Sequence, residues 1–274
     1  MTLRPLALAL PVCLALAPLA QAQSPAMSAS ETKAAIQRAG DLGQALYDRD
    51  RAAWVATDAM LAALGNDSAG RVGGWVVTPL NGKTGRRSEF RVAFHDRSEP
   101  PQVFWQGRVK GHRVGETELL DAPRPLSADE TARRAALDAA IAHPDLKPCR
   151  DFLPMNHVVM TAPEGGFHVY LLSATRQPDL AVFGRHFRFT TTPDGATITA
   201  SRAFTNSCIG VPMATELPEG ATPAALTISH VLDPTPQETH VFVSLSHGLP
   251  VYVVMTETDA LYEVDGTRMR RVKR

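Results

Sequence analysis

Short runs of β-branched and aromatic residues, none longer than nine, recur along most of this chain with turn-forming residues between them. Runs of that length bounded by Gly, Pro, Asn and Asp read as strands. They fall at Val72–Thr78, Glu89–Phe94, Val103–Val109, His157–Thr161, Phe167–Leu172, Val182–Thr190, Thr197–Ala203, Ala225–Val231, His240–Ser246 and Val251–Thr256. Asn81-Gly82, Asp194-Gly195 and Asp265-Gly266 are hairpin-type turn signals, which favour connections between antiparallel neighbours. The rhythm therefore restricts the chain to an antiparallel meander with helices added to it.

Two stretches carry helical spacing instead. Ser28 with Glu31 forms a capping box, and Ile36, Ala39, Leu42 and Leu46, then Ala53, Ala56, Met60 and Leu64, recur at three- and four-residue intervals. Gly40 and Gly43 predict a split or a bend, so two helices or one kinked helix are expected before a stop at Gly65-Asn66. Trp54 and Leu61 lie on a second apolar stripe. Ser127 with Glu130 opens another helix running to about His143 and ended by Pro144, with polar connections at 121–125 and 143–148.

An internal echo runs through the strands. Phe90-Arg91-Val92 and Gly107-Arg108 align at an offset of about 77 with Phe167-His168-Val169 and Gly184-Arg185. A similar strand precedes each copy, at 75–79 and 158–163, and a fainter third echo spans 240–252. The spacing fits a duplicated strand-turn-strand unit. The expected fold class is α+β: a mainly antiparallel β-sheet meander with an N-terminal helical segment and one mid-chain helix.

Residues Met1 to Ala22 combine Arg4, an apolar stretch from about Leu6 to Leu19 and Ala20-Gln21-Ala22, the three parts of an export signal. About fourteen apolar residues interrupted by Pro11 and Pro18 are too few for a continuous membrane-spanning helix. The expected organisation is a signal peptide at 1–22, a helical segment at 23–66 and a β-rich domain at 67–274 containing the helix at about 127–143. The mature protein is expected to begin near Gln23, to have no transmembrane segment, and to be periplasmic or secreted. The short, alanine-rich leader suits a bacterial source.

Export fixes how the cysteines are read. Cys149 and Cys208 survive removal of the leader, and an oxidising compartment favours one disulfide between them. In the chain-entropy view, closing a loop of about sixty residues contributes ~4 kcal/mol. Lys plus Arg equals Asp plus Glu at 28 each, and losing Arg4 leaves one acidic charge in excess. This balance provides no long-range field for nucleic acid, so no nucleic-acid partner is expected.

Nine histidines are the notable polar resource. Strand alternation places His168 with Tyr170 on one face, and His186 with Arg188 on one face of the next strand, with Arg202 at the end of a third. These could form a polar floor for an anion or carboxylate, and so could the solvent-facing side of a half-exposed sheet. A second grouping is His230, Asp233, Glu238 and His240, with Glu238 and His240 sharing a face if their run is a strand. The same reading puts His240 and His247 on opposite faces. Ser244 and Ser246 are the hydroxyls nearby, but no G-x-S-x-G occurs. Metal spacings such as HExxH or CxxC are also missing, and no cofactor is implied. Two function classes fit: a non-enzymatic envelope or secreted protein that binds an envelope partner or a small ligand, and a hydrolase or metal-dependent enzyme using clustered histidines.

Overall fold

A computed structural model describes residues 27–65, 70–150, 153–213 and 222–273. The export signal, Asn66 and the start of the β-rich domain at 67–69 lie outside the described residues. The fold is α+β, as the patterning requires. A long helix, α1 (Ala29–Leu64), leads into four antiparallel strands, β1 (Gly74–Pro79), β2 (Glu89–His95), β3 (Gln102–Lys110) and β4 (Arg113–Pro125), which form sheet I in chain order. Then α2 (Ala128–Ile141) precedes β5 (Leu153–Thr161), β6 (Phe167–Ala174), β7 (Leu180–Val182), β8 (Phe187–Thr191) and β9 (Ile198–Ala203).

Sheet II is β5-β6-β8-β9, while β7 pairs with β10 (Gly210–Pro212) in a separate ribbon. Last come β11 (Leu226–His230), α3 (Glu238–His247), β12 (Val251–Met255), β13 (Ala260–Asp265) and β14 (Arg268–Val272). The strands among these form sheet III, in which β11 and β12 run parallel and the remaining pairs antiparallel. The first part of the echo at offset 77 falls on equivalent places, since Phe90-Arg91-Val92 and Phe167-His168-Val169 lie in the second strand of the first hairpin after a helix, but Gly107-Arg108 lies within β3 and Gly184-Arg185 in the turn between β7 and β8. The third echo does not hold, because residues 240–242 are helical.

Both capping boxes form, with Ser28 and Ser127 each accepting the backbone N–H of the glutamate three residues on. α1 runs through Gly40 and Gly43 as one helix of 36 residues, so neither glycine splits it. Both instead permit close approach. A Cβ on Gly43 would lie 2.4 Å from Val241 Cβ and 2.8 Å from the Glu238 carbonyl oxygen of α3, and one on Gly40 would lie 3.1 Å from the Thr267 carbonyl oxygen. The helix ends at Gly65, which takes a positive φ of 57°.

α1 is the spine of the molecule. Ile36 packs on the core of sheet III, Leu42 and Leu46 on sheet II, and Ala52, Ala56, Met60 and Leu64 on sheet I. Asp48 fixes sheet I to it: its fully buried carboxylate accepts hydrogen bonds from the Gly85 N–H (2.6 Å), His112 Nε2 (2.9 Å) and Gln44 Nε2 (2.8 Å). Sheet II is covered on both faces. Val169, Leu171 and Phe189 meet Ala136 and Ala140 of α2, while Tyr170, Leu172 and Phe204 meet Leu46 of α1.

Four other expectations change. Residues 240–246 form α3 and not a strand, because His-Val-Phe-Val-Ser-Leu-Ser is apolar on most sides and the helix is buried on most sides. The expected strand at 182–190 is two strands separated by a turn in which Arg185 adopts φ 58°. Residues 121–125 belong to β4 and are not a connection. Asn81-Gly82 lies in a longer connection with a 3-10 turn at Gly85–Arg87, whereas Asp265-Gly266 does begin a tight hairpin between β13 and β14.

The disulfide Cys149–Cys208 forms, with Cα atoms 5.8 Å apart and a sequence separation of 59. No helix among the described residues is long and apolar enough to cross a membrane.

The crossing of α1 and α3 makes a prediction that separates propensity from packing. Gly43→Ala gains about 1 kcal/mol of helix propensity, but its methyl meets a backbone carbonyl and a β-branched side chain, so we expect a net loss of about 1–3 kcal/mol in urea unfolding. A stabilised variant would show that the helices do not approach this closely.

Candidate functional site

Sheet register explains why the expected polar floor forms. Val158, Tyr170, Arg188 and Arg202 are successive cross-strand partners from β5 to β9, so their side chains share one face of sheet II. That face is not solvent-exposed. The N-terminal end of α3 lies over it and inserts Glu238, whose Oε1 accepts the Tyr170 hydroxyl (3.0 Å) and Arg188 Nη1 (2.7 Å). Beside it, Arg202 Nη2 donates to Asp233 Oδ2 (2.6 Å) and to Gln237 Oε1 (3.1 Å), and Asp233 also binds His230 Nε2 (2.8 Å). Phe204 lies beneath both arginines and stacks with Tyr170.

Six of the eight expected residues thus converge: Tyr170, Arg188, Arg202, His230, Glu238 and His240. His240 meets His230 edge to face at 4.9 Å, and its Nδ1 accepts the Gln237 backbone N–H at the helix start. Glu238 and His240 reach different partners because i and i+2 diverge on a helix, contrary to the strand reading. For the same reason His240 and His247 do not take opposite faces as on a strand, since seven residues make nearly two helical turns. The other two stand apart. His168 pairs with Glu164 (2.8 Å) beyond the network. His186 precedes β8, where its Nδ1 accepts the Ser173 N–H and its Nε2–H donates to the Val182 carbonyl.

The electrostatics are those of a lock. Burial disfavours the charge on Arg188, but Glu238 and Tyr170 outweigh it and hold its pKa above the ordinary value. Burial similarly opposes ionisation of Asp233, yet the His230 hydrogen bond and Arg202 keep its carboxyl below the usual range. Burial and then Glu238 push the Tyr170 hydroxyl upward. Burial lowers His186 to about 4, and burial followed by His230 lowers His240 to about 3, so both are neutral at pH 7. Breaking one member of such a buried pair costs about 3–5 kcal/mol, although the intact pair contributes far less.

These groups have spent their chemistry on one another. Ser244, the buried hydroxyl nearby, donates to the Leu249 carbonyl (2.7 Å) and accepts the Gly266 N–H (2.9 Å). No set of three His, Cys, Asp or Glu side chains among the described residues is arranged to hold a metal ion.

The other side of α3 differs. A cleft of about 510 Å³ opens between α1, α3 and the chain joining β6 to β7. Its walls include Leu172, Leu180, Phe242 and Val243, and its polar groups include Asp50, Arg51, Asn156, Ser246 and His247. Tyr47, Asp50, Arg51 and Trp54 reach it from one face of α1, at positions i, i+3, i+4 and i+7. Asp50 is only 9% exposed, and the one side-chain hydrogen bond it makes among the described residues is a long contact of 3.4 Å from Asn156 Nδ2. Burial raises its carboxyl to about 6, with Arg51 and Asn156 partly opposing. Arg51 makes no ion pair among the described residues, and its guanidinium lies over the Trp54 ring, 5.6 Å from the centroid. Trp54 is 55% exposed.

A larger groove of about 1010 Å³ beside the N-terminal half of α1 is lined by surface charges already paired, Arg268 with Asp265 and Arg270 with Glu263. Patterning exposed Trp54 but not Asp50, since a charge within the run Asp48-Arg49-Asp50-Arg51 reads as a solvated face. The available signal was Asp50 falling on the same helical face as Tyr47 and Trp54.

The buried histidines predict a pH dependence of stability. Unfolded histidines bind protons near pH ~6.5, while His186 and His240 resist protonation down to about 4 and about 3. Between those values the unfolded state holds more protons. Stability should therefore be fullest above pH ~6.5, fall as the pH drops through that window, and level off below the folded-state values. NMR titration of the His186 and His240 ring protons should show no midpoint above pH 5; midpoints near 6.5 would contradict the burial argument. Compared with known proteins, the chain matches no family model, no curated protein and no solved structure.

Proposed function

We propose that this is an exported, non-enzymatic protein that binds a small ligand in the cleft between α1 and α3. The observation carrying this reading is Asp50: a nearly buried carboxyl that makes no ion pair among the described residues and faces a concave, apolar-walled space. Burying a polar group without partners is costly, and a protein gains from such an arrangement when a ligand supplies the missing contacts. The exposed Trp54 at the rim adds an aromatic surface of the kind that anchors bound molecules. On this reading the polar network on the other side of α3 holds the cleft's far wall in place.

The Cys149–Cys208 disulfide supports export, because such bonds persist in oxidising compartments. The leader at 1–22 supplies the route, to the periplasm or the medium. Intact mass of the protein recovered from an expressing bacterium's periplasm should correspond to a chain beginning at Gln23, two hydrogens lighter than after reduction. A retained Met1 with free thiols would overturn this part.

The cleft itself is tested by screening amino acids, sugars, nucleosides and organic acids for thermal stabilisation of the wild-type protein and of Ser246→Trp. Ser246 is an exposed residue on the cleft wall, so the indole fills the space without disturbing the core. We expect at least one class of compound to raise the melting temperature of the wild type and to lose that effect in the variant. Stabilisation that survives Ser246→Trp would place binding elsewhere, and a screen with no stabilising compound would contradict the reading.

A further inference from the structure

Asp50 and Arg51 are neighbours of opposite charge that line the same cleft yet form no ion pair with each other. Consecutive residues on a helix diverge by about 100°, so the two heads are held apart. Asp50 is nearly buried where it lines the cleft, and the half-buried Arg51 lies over the Trp54 ring. Other buried carboxylates have direct partners at short range: Glu238 pairs with Arg188, and Asp48 accepts three hydrogen bonds. Asp50 departs from that pattern, with Asn156 as its hydrogen-bond partner at 3.4 Å among the described residues.

From this we infer that the cleft takes an apolar α-amino acid, recognised as a zwitterion. Asp50 accepts the hydrogen bonds of the ligand's ammonium, Arg51 donates its planar fork to the carboxylate, and the side chain rests on Leu172 and Phe242. This assignment rests on the cleft being a binding site, and it adds the chemistry of the ligand. One charge alone would not select it: a simple amine leaves Arg51 unpaired and is repelled by it, and a simple acid is repelled by Asp50. A molecule carrying both charges meets both side chains, and an α-amino acid is the smallest common one. The cleft, about 510 Å³, falls within the size range of small-ligand sites and is large enough for a side chain as well as the head group.

The test is calorimetry of the full mature chain with L-leucine, L-methionine and L-phenylalanine, each against analogues lacking one charge. N-acetyl-L-leucine removes the ammonium, and 3-methylbutylamine removes the carboxylate. We expect at least one amino acid to bind at one per chain, and both analogues of leucine to bind about tenfold or more weakly than leucine, as loss of a charge-assisted contact requires. Asp50→Asn and Arg51→Met should each weaken amino-acid binding by a similar factor while the melting temperature of the free protein does not fall. Asp50→Asn is isosteric, so failure to fold is not the expected explanation for lost binding.

Binding of an analogue within twofold of leucine, or no binding by any of the three amino acids, overturns the zwitterion assignment. These outcomes differ from failure of the cleft. If another compound stabilises the wild type and not Ser246→Trp, the cleft binds a ligand of different chemistry; if none does, both readings fall.

Discussion

The close crossing of α1 and α3 at Gly43 is the constraint on which the rest of this structure depends. With no side chain at that position, α3 comes near enough for the Glu238 carbonyl and Val241 to occupy the space a Cβ would need. The same approach fixes the N-terminal end of α3 over sheet II, where Glu238 meets Tyr170 and Arg188. It also sets the other flank of α3 against Tyr47, Asp50 and Trp54, and so creates the cleft. One glycine thus positions both the lock and the candidate site.

Charge divides the two flanks. On the network side each ionised group has a partner at hydrogen-bond distance, and the Phe204 ring lies beneath both arginines. Such pairs contribute little net stability relative to apolar packing, but misplacing one member is expensive, so they specify a single arrangement of helix on sheet. On the cleft side the walls are apolar and the charges have been left open. A rigid, satisfied network behind an unsatisfied cleft is the arrangement expected where a site must hold its geometry before its ligand arrives.

How much of this could be read from the residues differs by element. Period-two alternation located the face shared by Tyr170, Arg188 and Arg202, because the pleat dictates it regardless of what packs above. Capping boxes located the starts of α1 and α2, and the export argument paired Cys149 with Cys208. α3 was not legible: a short segment that is apolar on most sides has no periodicity to tell helix from strand, and its helical state follows from the surfaces it packs between. Gly40 and Gly43 were misread for a related reason, since propensity sees only what a glycine lacks locally and not the neighbour it admits. Asp50 was invisible because its environment is tertiary. Nothing in the sequence near it states that Leu172 and Phe242 will line the same cleft.

The central claim is that this crossing desolvates a carboxyl which makes no ion pair among the described residues. The most direct measurement is a carbon-13 NMR titration of the Asp50 side-chain carboxyl in the ligand-free protein. Desolvation between α1 and α3 predicts a midpoint of about 6. A midpoint at the ordinary aspartate value of ~3.9 would mean that water or an unrecognised cation reaches Asp50, and the account of the cleft would be wrong.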